Sequence, residues 1–264
     1  MKNLVQCINN SNEGISVFDT IDNIRKSGFK KVFIQWYDHN WSVSQQEQVD
    51  YIRNSGLDIE FAHLGYDNIN QIWVEGEVGD SLVHKYKNNI EDCSKNNIKM
   101  VVMHLTAKCV APPPSKIGVS RIQEIADFAK EHNVQIAFEN TKLVGYLEYV
   151  LDNVKNDNIG VCFDIGHCHC FFEDKFNWER FKDRILAVHL HDNDKSGDQH
   201  LLPFDGTINW DMLLADLKSA NYSGPITLES CYSPIYSNNE IPVLDFYKKS
   251  YEIAGKLRDI YDSI

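Results

Sequence analysis

The chain has 264 residues, 43% of them hydrophobic, and carries a formal charge of −12 from 26 basic and 38 acidic side chains. That length and apolar content suffice for one large core, as in α/β barrels of about 250 residues, so a single domain over residues 1–264 is expected. The net charge repels polyanions and offers no basic stripe, which argues against a nucleic-acid partner while leaving room for a locally positive mouth.

The first strand-like run is NLVQCI at 3–8, followed by SVFDTIDNIRKSG, which has helical period, a Ser cap and a closing Gly. KVFIQWY at 31–37 is the second strand, and SQQEQVDYIRNSG repeats the Ser-to-Gly helix pattern. LDIEFAH then ends on His63, and after the helical DSLVHKYKNNIEDCSKNN the run IKMVVMH ends on His104. APPPS at 111–115 is a stiff loop leading into the helix SKIGVSRIQEIADFAKEHN. VQIAFE ends on Glu139, YLEYVLDNVKND is helical, and IGVCFD ends on Asp164. ILAVHL carries His189, NWDMLLADLKSANYSG is helical, PITLE ends on Glu229, and VLDFYKKSYEIAGKLRDIYDSI closes the chain as a helix. Strands that alternate with helices pair in parallel through right-handed crossovers, and eight such units predict an α/β fold, a single closed (β/α)8 TIM barrel.

Seven cysteines (Cys7, Cys93, Cys109, Cys162, Cys168, Cys170 and Cys231) lack paired spacing and read as reduced thiols. The N-terminal MKNLVQCINNSNEG turns polar too early for a secretory segment, and no run approaches about 18 apolar residues. A cytoplasmic protein with no membrane partner is expected; the sequence carries no oligomerisation signal.

Side chains at the same end of neighbouring parallel strands converge, so His63, His104, Glu139, Asp164, His189 and Glu229 would form a ring at one mouth of the barrel. Three anions converging there repel one another unless a cation sits among them. With His189, the carboxylates of Glu139, Asp164 and Glu229 suit a divalent ion such as Mn²⁺, Mg²⁺, Co²⁺ or Zn²⁺. His167, His191, Asp198 and His200 lie within a few positions of these strand ends and leave room for further ions, zinc above all. Lys108 and Lys142, just past strands four and five, are candidates to hold a phosphate. Trp36, Trp41, Trp73 and Tyr66 fall near the loops after strands two and three, where an aromatic ring could stack on a sugar. His84 and His132 are expected to be solvated in helical linkers, His39 and His169 to have no ligand role, and Cys168-His169-Cys170 to be a loop near the mouth.

These residues make the chain resemble the xylose isomerase-like TIM barrels, a superfamily that includes sugar isomerases and epimerases and endonuclease IV, of AP endonuclease family 2. In the epimerase branch a Mn²⁺-type ion is held by a Glu, Asp, His, Glu set, which would fall on Glu139, Asp164, His189 and Glu229, both glutamates also serving as acid and base. In the endonuclease IV branch nine ligands hold three zinc ions, and the resemblance assigns His63, His104 and Glu139 to the first. Glu139 would bridge to a second with Asp164, His189 and Glu229, while His167, Asp198 and His200 would hold the third. The short segment HLHDNDKSGDQH, the segment AHLGYDNINQIW and the charge of −12 all lean toward the sugar branch.

The expected function is therefore a metal-dependent isomerase or epimerase of a small sugar, polyol or sugar phosphate, using one to three ions of Zn or Mn. Glu139 and Glu229 would transfer a proton through an enediolate, with Lys108, Lys142, His191 and Trp36 contacting substrate. The alternatives are an endonuclease IV-like multinuclear zinc phosphoesterase, and a barrel that keeps metal without turnover.

Overall fold

Eight short runs of β-branched and aromatic residues form the strands: β1 (Leu4–Ile8), β2 (Lys31–Trp36), β3 (Asp58–Leu64), β4 (Met100–Met103), β5 (Gln135–Glu139), β6 (Ile159–Asp164), β7 (Ile185–His189) and β8 (Ile226–Leu228). The computed structural model describes residues 2–8, 14–37 and 43–264. Each strand pairs in parallel with its sequence neighbour from β1 to β7, and β1 also pairs with β8. The ring closes where Leu190 N–H donates to Thr227 O and Leu190 O accepts from Glu229 N–H. This is the expected (β/α)8 TIM barrel.

The helices follow the sequence pattern closely. They are α1 (Val17–Ser27), α2 (Gln45–Asn54), α3 (Glu77–Lys95), α4 (Lys116–Glu131), α5 (Tyr146–Asn153), α6 (Ile165–Phe171), α7 (Trp178–Phe181), α8 (Trp210–Ser219), α9 (Pro234–Ser237) and α10 (Val243–Ser263), with a 3-10 turn at Ile69–Trp73. Ser16 and Ser115 cap α1 and α4, and Ser44 forms a capping box with Glu47 on α2. No helix among the described residues is long and apolar enough to cross a membrane.

Period two along the strands sorts side chains into two populations. One set faces the helices, and Ile34, Ala62, Val101, Phe138, Phe163, Val188 and Leu228 belong to that outer core. The other set faces the barrel axis, where Val5, Cys7, Phe33, Phe61, Val102, Ala137, Cys162 and Ala187 form a separate buried cluster. Two residues further along the same strands, on the same face, stand Gln35, His63, His104, Glu139, Asp164 and His189, with Glu229 two beyond Thr227. The polar ring thus rests on a floor of apolar side chains.

Four expectations are corrected here. Cys168-His169-Cys170 lies in α6, because the Asp164 carboxylate accepts from His167 N–H at 2.6 Å and starts a helix there. Trp36 is 4% exposed and belongs to the outer core, since it shares the outward parity of Ile34. Trp73 is buried in the 3-10 turn with its indole N–H donating to Leu105 O. His132, expected in solvent, is half-buried at the end of α4 with Nδ1 2.8 Å from Phe128 O. His39 and Trp41 lie outside the described residues.

Phe33 stacks on Phe61 at 4.6 Å and on the His189 ring at 5.1 Å, joining the floor to the polar ring. Phe33→Ala is expected to cost about 3–5 kcal/mol in urea denaturation. A loss below about 1 kcal/mol would show that the floor collapses without consequence.

Candidate metal centre

Glu139, at the end of β5, is the hub of the mouth. Its Oε2 lies 3.1 Å from His63 Nε2 and 3.3 Å from both His104 Nε2 and His189 Nδ1, and its Oε1 lies 3.1 Å from His167 Nδ1. His189 Nδ1 is also 3.3 Å from Glu229 Oε2 and 3.8 Å from Asp164 Oδ2. Asp198 stands between two imidazoles, 3.2 Å from His167 Nε2 and 3.5 Å from His200 Nε2. The nine side chains singled out as candidate ligands therefore meet in one connected cluster.

Hydrogen bonds to backbone carbonyls orient two of the rings. His63 Nδ1 donates to Leu64 O and His200 Nδ1 to Glu229 O, each at 3.0 Å, which turns the Nε2 lone pair of each inward. Both ring nitrogens of His189, Nδ1 of His167 and Oδ1 of Asp198 are buried without a hydrogen-bond partner. A buried lone pair facing carboxylate oxygens is satisfied by a proton or a cation. Among the described residues, His63 with His104 and Glu139, His63 with His189 and Glu229, and Glu139 with Asp164 and His167 each bring three ligand atoms within 4.8 Å of one another. The donor set fits a divalent ion.

Burial would raise the Glu139 carboxyl, yet the charges of His104 and His189 and the close approach of the His104 and His167 rings hold it well below its usual range. Glu229 goes the other way: burial, opposed by His200 and reinforced by Glu139 and Asp164, pushes it well up. Asp164 is brought down to about 2, burial being outweighed by His167 and His191. Burial lowers His104 and His189 toward the neutral form that binds metals, against the pull of Glu139. Burial is overridden at His167 by Asp164 and Asp198, and at His200 by Cys231 and Asp198, so both are raised. Both imidazoles are thus drawn toward their charged form by Asp198, where an ion would compete with their protons.

Asp198 and His200 belong to the loop after β7, which is tied down by one buried carboxylate. Asp192 accepts from Asn193 N–H at 2.9 Å, Phe204 N–H at 3.0 Å, Ile208 N–H at 3.2 Å and the Trp210 indole N–H at 2.9 Å. A Cβ at Gly206 would collide with that carboxylate, and one at Gly166 with the His191 ring, so both positions need glycine.

Lys108 and Lys142 line a cavity at the mouth. His191 is placed otherwise: it is fully buried, its Nε2 3.2 Å from Asp164 Oδ2 and its ring stacked on His200 at 3.9 Å. It backs the ring and does not line the cavity over it. Gln35, Tyr37 and Cys231 line that cavity, and Cys162 lies within ligand distance of Glu139 and His189; none of the four was singled out in the sequence. Gln35 was within reach, standing two residues past Phe33 on the inward parity.

A parallel eight-stranded barrel with a histidine and carboxylate ring at the C-terminal ends of its strands defines the class of TIM barrels with a candidate metal site at the mouth. The chain belongs to the family of xylose isomerase-like TIM barrels, whose model it matches over residues 21–249. An uncharacterized protein of Sinorhizobium fredii is 31% identical over 140 residues, 50% of this chain and 44% of that one. Inosose isomerase of Halalkalibacterium halodurans is 24% identical over 165 residues, covering 56% and 58%. A probable endonuclease 4 of Citrifermentans bemidjiense is 29% identical over 173 residues, covering 55% and 59%. The chain thus spans about half the length of the curated relatives it matches. Among solved structures, an L-ribulose 3-epimerase superposes with a TM-score of 0.78 at 15% identity, covering 100% of this chain and 96% of that one. A D-allulose 3-epimerase from Methylomonas sp. in complex with D-allulose gives 0.69 at 20% identity, covering 100% and 98%. These two likenesses speak to fold.

Asp192→Ala is expected to cost at least about 3 kcal/mol in urea denaturation, because four donors lose one acceptor in a buried place. A change within about 0.5 kcal/mol would mean that the loop carrying Asp198 and His200 is held by other contacts.

Proposed function

We propose that the chain is a divalent-metal-dependent isomerase or epimerase acting on a small polyhydroxy carbonyl compound, a sugar or sugar phosphate. The observation that carries this reading is the pair Glu139 and Glu229. Both carboxyl groups lie 3.3 Å from one nitrogen of His189, both are buried, and their surroundings push their pKa values in opposite directions. Two titratable groups driven apart in this way suit complementary proton-accepting and proton-donating roles. The cavity above them, about 300 Å³, is lined by His63, His104, His167 and His200, which offer hydrogen bonds to hydroxyl groups.

Glu139, Asp164, His189 and Glu229 would hold the ion, which when bound supplies a Lewis acid for neighbouring substrate oxygens. The Glu139 carboxylate takes the proton from the carbon beside the carbonyl, and the electron pair moves onto the carbonyl oxygen to give an enediolate. The Glu229 carboxyl returns a proton to the opposite face of that carbon, which inverts it, or to the neighbouring carbon, which isomerises the sugar. The similarity to inosose isomerase and the likeness to sugar 3-epimerases support this class.

A zinc phosphoesterase draws on a different observation, the position of Asp198 between His167 and His200 and the similarity to a probable endonuclease 4. The two readings separate by metal content and turnover. Under our proposal the chelator-treated protein is inactive, Mn²⁺ restores exchange of solvent deuterium into ketoses, and Glu139→Gln or Glu229→Gln lowers the rate by about 10²–10⁴-fold. His200→Ala leaves the metal content unchanged. Two or three zinc ions per chain, one of them lost in His200→Ala, together with cleavage of abasic DNA and no ketose exchange, would replace this reading by the phosphoesterase.

A further inference from the structure

Beside the cavity over the ring opens a second one of about 640 Å³, roughly twice the volume of the first, which is about 300 Å³. Tyr66, His104, His167 and Asp198 line both, so the two spaces share a wall. On the second one stand Lys108 and Lys142. Nine other lysines, from Lys26 to Lys249, pair with a carboxylate, whereas these two, like several lysines elsewhere on the surface, have no ion-pair partner among the described residues. Lys142 Nζ rests 4.8 Å over the Phe171 ring, a contact that leaves its donors available.

The loops that carry both ammonium groups are fixed. Thr106 Oγ1 lies 2.7 Å from Thr141 Oγ1, which ties the segment after β4 to the segment after β5 within two residues of each lysine. The Asn70 side chain holds the first loop from the other side, donating to Ala107 O at 2.9 Å and Val110 O at 3.1 Å and accepting from Ala107 N–H at 2.8 Å. Lys108 itself adopts φ 66°, the left-handed region that glycine or asparagine would occupy with less strain, and it stands at no helix end. Lys108 is exposed at this rim in a glycine-like conformation and has no carboxylate partner among the described residues, so its ammonium group is available to an anion in the cavity. Of the two acids on the same cavity, Asp198 is engaged with His167 and His200, and Asp67 lies on the exposed rim beside Tyr66.

We propose that Lys108 and Lys142 form an anion subsite, so that the substrate of the adjoining ring carries a phosphate or a carboxylate group on the part of its carbon chain remote from the reacting carbonyl. This rests on the isomerase reading for the nature of the reacting end; the subsite itself rests on the cavity and the two unpaired cations. Lysine ammonium groups bind phosphate and carboxylate oxygens alike, so the two sources are separated by experiment.

The test is calorimetric binding to the metal-loaded protein with inorganic phosphate, D-fructose, D-fructose 6-phosphate and D-fructuronate as probes. At least one of the two anionic ketoses is expected to bind about tenfold or more tightly than fructose, and the tighter of them identifies the anion. Lys142→Gln and Lys108→Asn, the latter chosen because asparagine accepts the left-handed backbone, are each expected to weaken that probe about tenfold. Equal affinity for fructose and both anionic ketoses would overturn the proposal, as would affinities for the anionic probes that neither variant changes. If no ketose binds but inorganic phosphate does, in a way that both variants weaken, the isomerase reading fails and the anion subsite stands. If no probe binds in a lysine-dependent way, the subsite is refuted whatever becomes of the isomerase.

Discussion

A single buried carboxylate surrounded by four imidazoles governs the mouth of this barrel. Glu139 meets His63, His104, His167 and His189 at 3.1 to 3.3 Å, three of the rings arriving from the ends of β3, β4 and β7 and the fourth from α6. A carboxylate out of water cannot stand alone, and neutral imidazoles cannot each give it a proton at once. The neighbours make the shortage worse, since Asp164 and Glu229 draw on the same His189 nitrogen. Without an ion the cluster answers with shifted titration: Glu229 is pushed toward its protonated form while His167 and His200 are pushed toward theirs. An ion would supply the missing positive charge in one place and compete with the protons on the imidazoles, so metal affinity and proton balance are coupled in this site.

Holding several like charges together demands a rigid frame, and the barrel supplies it in layers. Below the ring, apolar side chains from Val5 to Ala187 fill the axis and give the carboxylates a floor of low dielectric that screens them poorly. Behind it, Asn140 exchanges two 2.8 Å hydrogen bonds with the Asp164 backbone, and His191 supports the Asp164 carboxylate. Asp198 and His200 have no strand beneath them, and the equivalent support comes from Asp192, whose carboxylate gathers donors from as far along as Trp210. Two constructions therefore meet at the mouth: ligands fixed by sheet register, and ligands fixed by one buried acid.

Most of the first construction was legible in the sequence, because strand parity is a local property. The six strand-end residues from His63 to Glu229 follow from counting apolar runs. The misplacement of Trp36 comes from grouping it with the loop aromatics although the second run contains it, and its parity with Ile34 and against Phe33 turns it toward the helices. The same parity would have found Gln35. The seven-residue α6 is too short to reveal a helical period, and only the Asp164 cap three residues before His167 hints at it. The second construction could not be read. Nothing local links Asp192 to Phe204, Ile208 and Trp210, and His191 looks like an open donor until the barrel closes and buries it against Asp164 and His200.

This division also says where the chemistry of such a barrel is decided. The ring on the strands is set by sheet geometry and would be much the same for proton transfer at carbon or attack at phosphorus, since both need a buried divalent charge. What separates them lies on the loops: how firmly Asp198 and His200 are presented after β7, and what charge is offered after β4 and β5. In this chain both loop features are built with backbone in the left-handed region, His200 at φ 49° and Lys108 at φ 66°. Neither is a residue that favours that conformation as glycine does, so the surrounding hydrogen bonds must enforce it. His200 is held through Glu229 O, and Lys108 through Asn70 and the Thr106–Thr141 pair. Left-handed backbone at two places, one beside the acids and one beside the lysines, stands at the two ends of the space that the proposed substrate would span, with its metal-binding oxygens at the ring and its negative charge at the far wall.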